Sequence, residues 1–191
     1  MSRRAGLHRE SVVQVAAEMA DAEGLESVTL AALAARLGVR PPSLYNHIAG
    51  QEGLRRELAL LGIRDLVGRM GRAAMGKSGD AAVEAIADAY RAYAHARPGV
   101  YAAALRAPST EDGELVAESS ALIDIVLAVL ASYGLQGEDA LHATRGLRSL
   151  VHGFVSLELA GGFGLPLNLD ESFRRLVHAF AVGLCRESRC R

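Results

Sequence analysis

In the stretch from Arg40 to Ile48, Arg-Pro-Pro-Ser-Leu-Tyr-Asn-His-Ile, hydrogen-bonding side chains stand at Arg40, Ser43, Tyr45, Asn46 and His47. Leu44 and Ile48, four residues apart, make a single apolar edge. Pro41 and Pro42 suit the first turn of a helix, where an N–H has no partner to lose. A short helix over Pro41 to Ile48 would then turn Leu44 and Ile48 inward and leave the polar set outside, with Tyr45 at the border. The chemistry open to such a set is recognition through hydrogen bonds. A guanidinium fork, an amide and hydroxyls on a short exposed helix suit the edges of bases in a major groove.

Such a helix needs support, and the preceding residues supply it. Leu30, Leu33, Ala34 and Leu37 recur at helical spacing and predict a helix with one apolar side. Thr29 stands where a hydroxyl can cap it, and Gly38 stands where it must stop. A first helix is expected from Arg9 to Glu23, with Val12, Val13, Ala16, Met19 and Ala20 as its stripe and Gly24 at its end. Leu25 and Val28 close the small core. Three helices around one core are the minimal frame for a reading helix. A plain corner of two helices would show the same helix–glycine–helix pattern.

The run LGVRPPSLYNHI and the overlapping LYNHIAGQEGL resemble the DNA-binding domain of the TetR family of bacterial repressors. Leu44, Tyr45, His47, Ile48 and Leu54 fall on the family pattern. The resemblance implies a DNA-contacting set of Thr29, Arg40, Pro41, Ser43, Tyr45, Asn46, His47 and Gln51. Thr29 and Tyr45 match positions that hydrogen-bond phosphates. Gln51 stands where the family has a lysine that meets a phosphate; it can donate a hydrogen bond but brings no charge. Arg40 stands where the family has a small or polar residue. Two readings are open for it: a solvated arginine near a phosphate, or a bidentate partner for guanine O6 and N7.

The chain has 191 residues, a formal net charge of −1, 50% hydrophobic and 23% charged residues. That is an ordinary globular balance with no overall nucleic-acid signal. Positive charge has to be concentrated locally. Arg3, Arg4, His8, Arg9, Arg36 and Arg40 supply it, but Glu10, Glu18, Asp21, Glu23 and Glu26 interrupt them. Cys185 and Cys190 have no histidine between them and no second pair to complete a metal site. No metal and no cofactor are expected. Arg3-Arg4 leads into no apolar segment, and the run from Ala121 to Ala131 contains Asp124 and is too short to span a bilayer. A soluble, cytoplasmic protein without a membrane partner is expected.

The remainder reads as helices broken at Gly76–Gly79, Pro98-Gly99, Ala107-Pro108, Gly134–Gly137 and the loop GGFGLPLNL. The whole is expected to be all-α, with about nine helices: a helix-turn-helix domain over residues 1–55 and a larger helical domain over residues 56–191. The segment VHGFVSLELAGGFGLPLNLDESF resembles the Trp-His-Gly type of TetR-family C-terminal domain, with His152-Gly153 kept and Val151 in place of the tryptophan. That resemblance implies a homodimer and a pocket for a small-molecule effector. Small residues at Gly146, Ser149, Gly153, Ser156 and Ala160 lie on one stripe and would let a helix come close, either within the subunit or across a dimer seam. Gly146, Ser149, Gly153, Phe173, Val177 and Phe180 are the expected seam. Tyr90, Tyr93 and Tyr101 flank the break at Pro98, and with His152, Phe154 and Glu158 they are the expected contacts of a largely apolar effector. The implied function is a sequence-specific DNA-binding regulator, a repressor released by that effector. A helical adaptor is the first alternative. An enzyme is the second, but His152 and Glu158 are too far along one helix to share a proton, and Ser149 with His152 lacks an oxyanion site.

Overall fold

The computed structural model describes residues 8–189, with side chains through Cys185. Arg3, Arg4 and Cys190, named above, lie outside the described side chains. Among the described residues there are eight α-helices, three short 3-10 helices and no strand. The α-helices are α1 (Arg9–Glu23), α2 (Leu30–Leu37), α3 (Gly50–Ala74), α4 (Gly79–Ala96), α5 (Pro98–Ala103), α6 (Gly113–Leu130), α7 (Gly137–Leu159) and α8 (Leu169–Arg189). The all-α expectation holds.

The chain forms two compact units. One comprises the described residues up to Arg64 together with Arg97–Leu115; the other comprises Asp65–Ala96 and the chain from Val116 onward. The boundary expected at residues 55 and 56 therefore falls inside α3, and the segment containing α5 joins the N-terminal unit. The reason is close packing. A methyl on Gly99 would lie 2.0 Å from the carbonyl oxygen of Ala20, so only glycine lets α5 approach α1 this closely. Asp21 completes the join. Its Oδ1 accepts the N–H groups of Gly99 (3.0 Å) and Val100 (3.1 Å), and its Oδ2 accepts from Arg97 Nε. The first turn of α5 would otherwise leave those amides unsatisfied.

The core of the N-terminal unit contains Val12, Ala16, Met19, Ala20, Val28, Leu33, Leu44, Ile48, Leu54 and Leu58, with Val100 and Ala103 from α5. These include the inward edges read from the sequence. α6 is capped by Asp112, whose Oδ1 accepts the Leu115 N–H at 3.1 Å. At the start of α8, Asn168 Oδ1 accepts from Glu171 N–H at 2.9 Å, while the Glu171 carboxylate turns to Arg174 and Arg175. By length and composition Gly113–Tyr133 could cross a membrane, with a mean hydropathy of 1.9. The run Ala121 to Ala131 judged too short is thus part of a longer apolar helix, one whose first turn carries a charge bound to arginines: Glu114 pairs with Arg56 and Arg64 at 2.8 Å each.

Candidate nucleic-acid interface

Thr29 caps α2 with its hydroxyl, which accepts the Ala32 N–H at 3.1 Å. Gly38 ends α2 in the left-handed region (φ 66°, ψ 30°), and the next residue returns its N–H to the Ala34 carbonyl at 3.0 Å. This reverses the chain in two residues and delivers Arg40, extended at φ −82° and ψ 143°, to the mouth of the next helix. That helix is a single 3-10 segment, Pro41–Asn46, rather than an α-helix to Ile48. The two prolines remove two donors at its start, and the segment is too short for an α-helical ladder to develop.

The facing follows the sequence reading. Leu44 and Ile48 are buried in the core, and Arg40, Pro41, Ser43, Tyr45 and Asn46 are exposed. Tyr45 is 62% exposed, a large aromatic left in water. Thr29 is also exposed, and His47 is half-buried. The interrupting carboxylates also have a place. Glu23 holds Arg36 at 2.9 Å, Glu26 holds Arg55 at 2.8 Å, and Glu57 holds Arg9. Arg40 makes no salt bridge or side-chain hydrogen bond among the described residues, so its guanidinium is uncommitted. Local positive charge arises from which arginines the carboxylates occupy, and not from their number.

Gln51 departs from its expected role. Its Nε2 donates to the Val28 carbonyl at 2.6 Å and its Oε1 accepts the Leu30 N–H at 3.2 Å. Each end of the amide makes one bond inside the chain, and the residue is half-buried. The amide that the family pattern would turn to a phosphate is engaged within the chain. A lysine at this position has only donors, whereas glutamine can close a bond to a carbonyl and to an amide at once.

The expected effector residues divide between the two units. Tyr101 lies on α5 in the N-terminal unit and is buried, while Tyr90, Tyr93, His152, Phe154 and Glu158 lie in the other unit. Tyr93 lies beneath the guanidinium of Arg69, 5.4 Å from its ring centroid. Phe154 packs on Phe163 and Phe173, with centroids 4.8 and 5.1 Å away. The Glu158 carboxylate is committed. It accepts two bonds from Arg91 (2.8 and 2.5 Å) and lies 2.8 Å from His95 Nε2. Those hydrogen bonds, the one from Arg91 first, hold the Glu158 carboxyl down at about 2, against the burial that opposes them. Arg91 also meets Asp170 at 2.8 Å and lies over the Phe173 ring at 4.9 Å. Glu158 is therefore part of a staple joining α4, α7 and α8. Sequence reasoning missed Arg91; a lone arginine in the alanine-rich apolar α4 was the available signal. Burial and the nearby Arg148 lower the His152 imidazole below its ordinary value.

The expected seam residues divide in the same way. Phe173 and Val177 are 1% and 2% exposed and belong to the core of their own subunit. They were read as seam because an apolar stripe looks the same whichever neighbour covers it. Gly146 faces Phe180 within the chain, a methyl there lying 3.2 Å from the ring. Gly153 faces open space, with nothing within 4 Å of a methyl built on it, and Ser149 is exposed.

A capped helix, a left-handed glycine turn and a second short helix with a solvated polar face over a shared core define a helix-turn-helix DNA-binding unit. Residues 12–58 match the family model for bacterial regulatory proteins of the tetR family, and residues 83–180 match the tetracyclin repressor-like C-terminal domain. An uncharacterised HTH-type transcriptional regulator of Mycobacterium tuberculosis is 41% identical over 98% of this chain and 86% of its own. Another, from Bacillus subtilis, is 40% identical over 96% of both chains. The chain belongs to the TetR family and is a DNA-binding transcriptional regulator. Its fold is also that of a Rhodococcus protein of unknown function (TM-score 0.80, 23% identity, 97% and 99% of the two chains). A variant TetR of Acinetobacter baumannii in complex with minocycline shares it as well (TM-score 0.73, 21% identity, 96% and 99%), as does ActR of Streptomyces coelicolor in complex with (S)-DNPA (TM-score 0.69, 18% identity, 96% and 100%).

Proposed function

We propose that this chain is a cytoplasmic, homodimeric repressor that reads a two-fold operator and is released from it by a small, largely apolar effector. The observation that carries the DNA reading is the solvated face of Arg40, Pro41, Ser43, Tyr45 and Asn46 over buried Leu44 and Ile48. Thr29 and Tyr45 anchor phosphates, which set register without reading sequence. Arg40, Ser43 and Asn46 meet base edges, with Pro41 and His47 at the margins.

Two copies pair through the outer faces of α7 and α8, where Gly153 and Ser149 leave room for a neighbouring helix. Half-sites one turn apart require reading helices about 34–36 Å apart. An effector that favours another spacing lowers operator affinity, and the operator lowers effector affinity by the same factor. That two proteins of this fold are solved in complex with minocycline and with (S)-DNPA supports a small-molecule effector. In the C-terminal unit its contacts are Tyr90, Tyr93, His152 and Phe154, with Glu158 held by Arg91 and His95 at the edge of that set. The test is selection of duplexes from a random pool by the purified protein, followed by sedimentation of the complex. A pool without enrichment sinks the proposal, and so does a complex with one protomer per site.

A further inference from the structure

We propose that Gln51 is a positioning residue for DNA binding: its side-chain amide clamps the backbone on both sides of Thr29 and so sets the mouth of α2. The inference rests on the DNA-binding reading above and assigns Gln51 a role other than contact with DNA. Gln51 sits in the first turn of α3 and reaches back across the fold, with Nε2 on the Val28 carbonyl at 2.6 Å and Oε1 on the Leu30 N–H at 3.2 Å. Thr29, between those two groups, is exposed and turns its own Oγ1 to the Ala32 N–H at 3.1 Å. The first amides of α2 have no carbonyl to bond. Gln51 satisfies one and Thr29 another, so together they hold the backbone from Val28 to Ala32 in one conformation.

The residue type follows from the two partners. Val28 offers an acceptor and Leu30 a donor, and a primary amide presents both functions at one terminus. Methionine has the same length and neither function. Glutamate keeps the acceptor and places a carboxylate against the Val28 carbonyl. The Thr29 hydroxyl can meet a phosphate only if the backbone carrying it is held. The clamp is thus felt at the DNA through Thr29.

The test uses the full chain and a duplex that the wild-type protein selects from a random pool. Amide exchange at Leu30 is measured in the DNA-free protein for wild type, Gln51→Met and Gln51→Glu. Gln51→Met is expected to speed exchange at Leu30 by about tenfold, Gln51→Glu to leave it slower than Gln51→Met, and both to leave the buried α3 residue Leu58 unchanged. Affinity for the selected duplex is expected to fall about fivefold in Gln51→Met. Thr29→Val is expected to cost less in the Gln51→Met background than in wild type, because residues acting through one contact are not additive. A merely structural glutamine would leave the Thr29 effect additive and overturn the proposal. Weakened binding with unchanged Leu30 exchange would place Gln51 on the DNA itself, and faster exchange with unaltered affinity would deny the clamp any role; both overturn it. A pool from which wild type recovers nothing sinks the DNA-binding reading, whereas unchanged Leu30 exchange sinks the clamp alone.

Discussion

Arg40 presents an uncommitted guanidinium at the head of the reading segment, and the carboxylates that neutralise Arg36 and Arg55 are engaged elsewhere. If it reads a base, Arg40→Ala should cost about 1–3 kcal/mol at one base pair and relax preference there alone. If it meets a phosphate, every sequence should weaken alike and the salt slope should shallow by about one counterion. Binding to a set of single-base operator variants at two salt concentrations separates the outcomes. Retained preference at every position would leave specificity to Ser43, Asn46 and DNA shape. Tyr45, exposed and able to donate through its hydroxyl, is expected to behave in the second way: Tyr45→Phe should weaken all sites to a similar degree. A shift in sequence preference at constant mean affinity is the result that would count against it.

Between elements, two contacts carry measurable consequences. α5 lies so close to α1 that Gly99→Ala must move backbone, since its methyl would sit 2.0 Å from the Ala20 carbonyl oxygen. Overpacking of this kind costs about 1–3 kcal/mol, and urea denaturation of Gly99→Ala should show it; an unchanged midpoint would mean that α5 shifts freely. The Arg91–Glu158 staple gives a pH dependence. The folded Glu158 carboxyl is lowered from 4.5 to about 2, so its contribution is complete above about pH 4.5 and is lost as pH falls towards 2. Glu158→Gln leaves Arg91 with a neutral acceptor and with Asp170, and removes the one carboxylate of the staple whose titration is shifted to about 2. The stability gap between wild type and Glu158→Gln should therefore be wide at pH 6 and narrower at pH 3. A gap that does not change with pH would remove the staple from the acid response.

Assembly is the property of the whole molecule that a single substitution can address. Gly153 lies inside α7, and a methyl there would meet nothing within 4 Å, so a side chain can leave the helix at this position without a clash at its first carbon. Replacing a helix-interior glycine should raise subunit stability by about 0.5–1 kcal/mol. The same side chain would block a close helix approach from a second copy. Gly153→Leu is expected to yield a folded monomer by sedimentation, and that monomer loses the avidity of two linked half-sites. A variant that is still dimeric would place the seam elsewhere. Phe180 is the poorer probe, because its ring already packs on Gly146 inside the subunit.

Much of this protein is legible in local pattern. Helical periodicity, Thr29 before α2, Gly38 after it and the prolines at 41 and 42 are short-range signals. They mark the elements and the face of Arg40, Ser43, Tyr45 and Asn46, because each acts within a turn or two of chain. The family pattern added the DNA-binding class. What depended on distant partners was not legible. An amphipathic stripe shows that a face is covered but not by what, so Phe173 and Val177 looked like seam until their own subunit covered them. A polar residue shows what it can bond but not where its partner lies. Gln51 looked free for a phosphate until Val28 and Leu30, more than twenty residues earlier, took both ends of its amide. Glu158 looked free for a ligand until Arg91, 67 residues away, reached it. The junction of α5 with α1 likewise rests on Asp21 and Gly99, 78 residues apart, and only the folded chain brings such pairs within bonding distance.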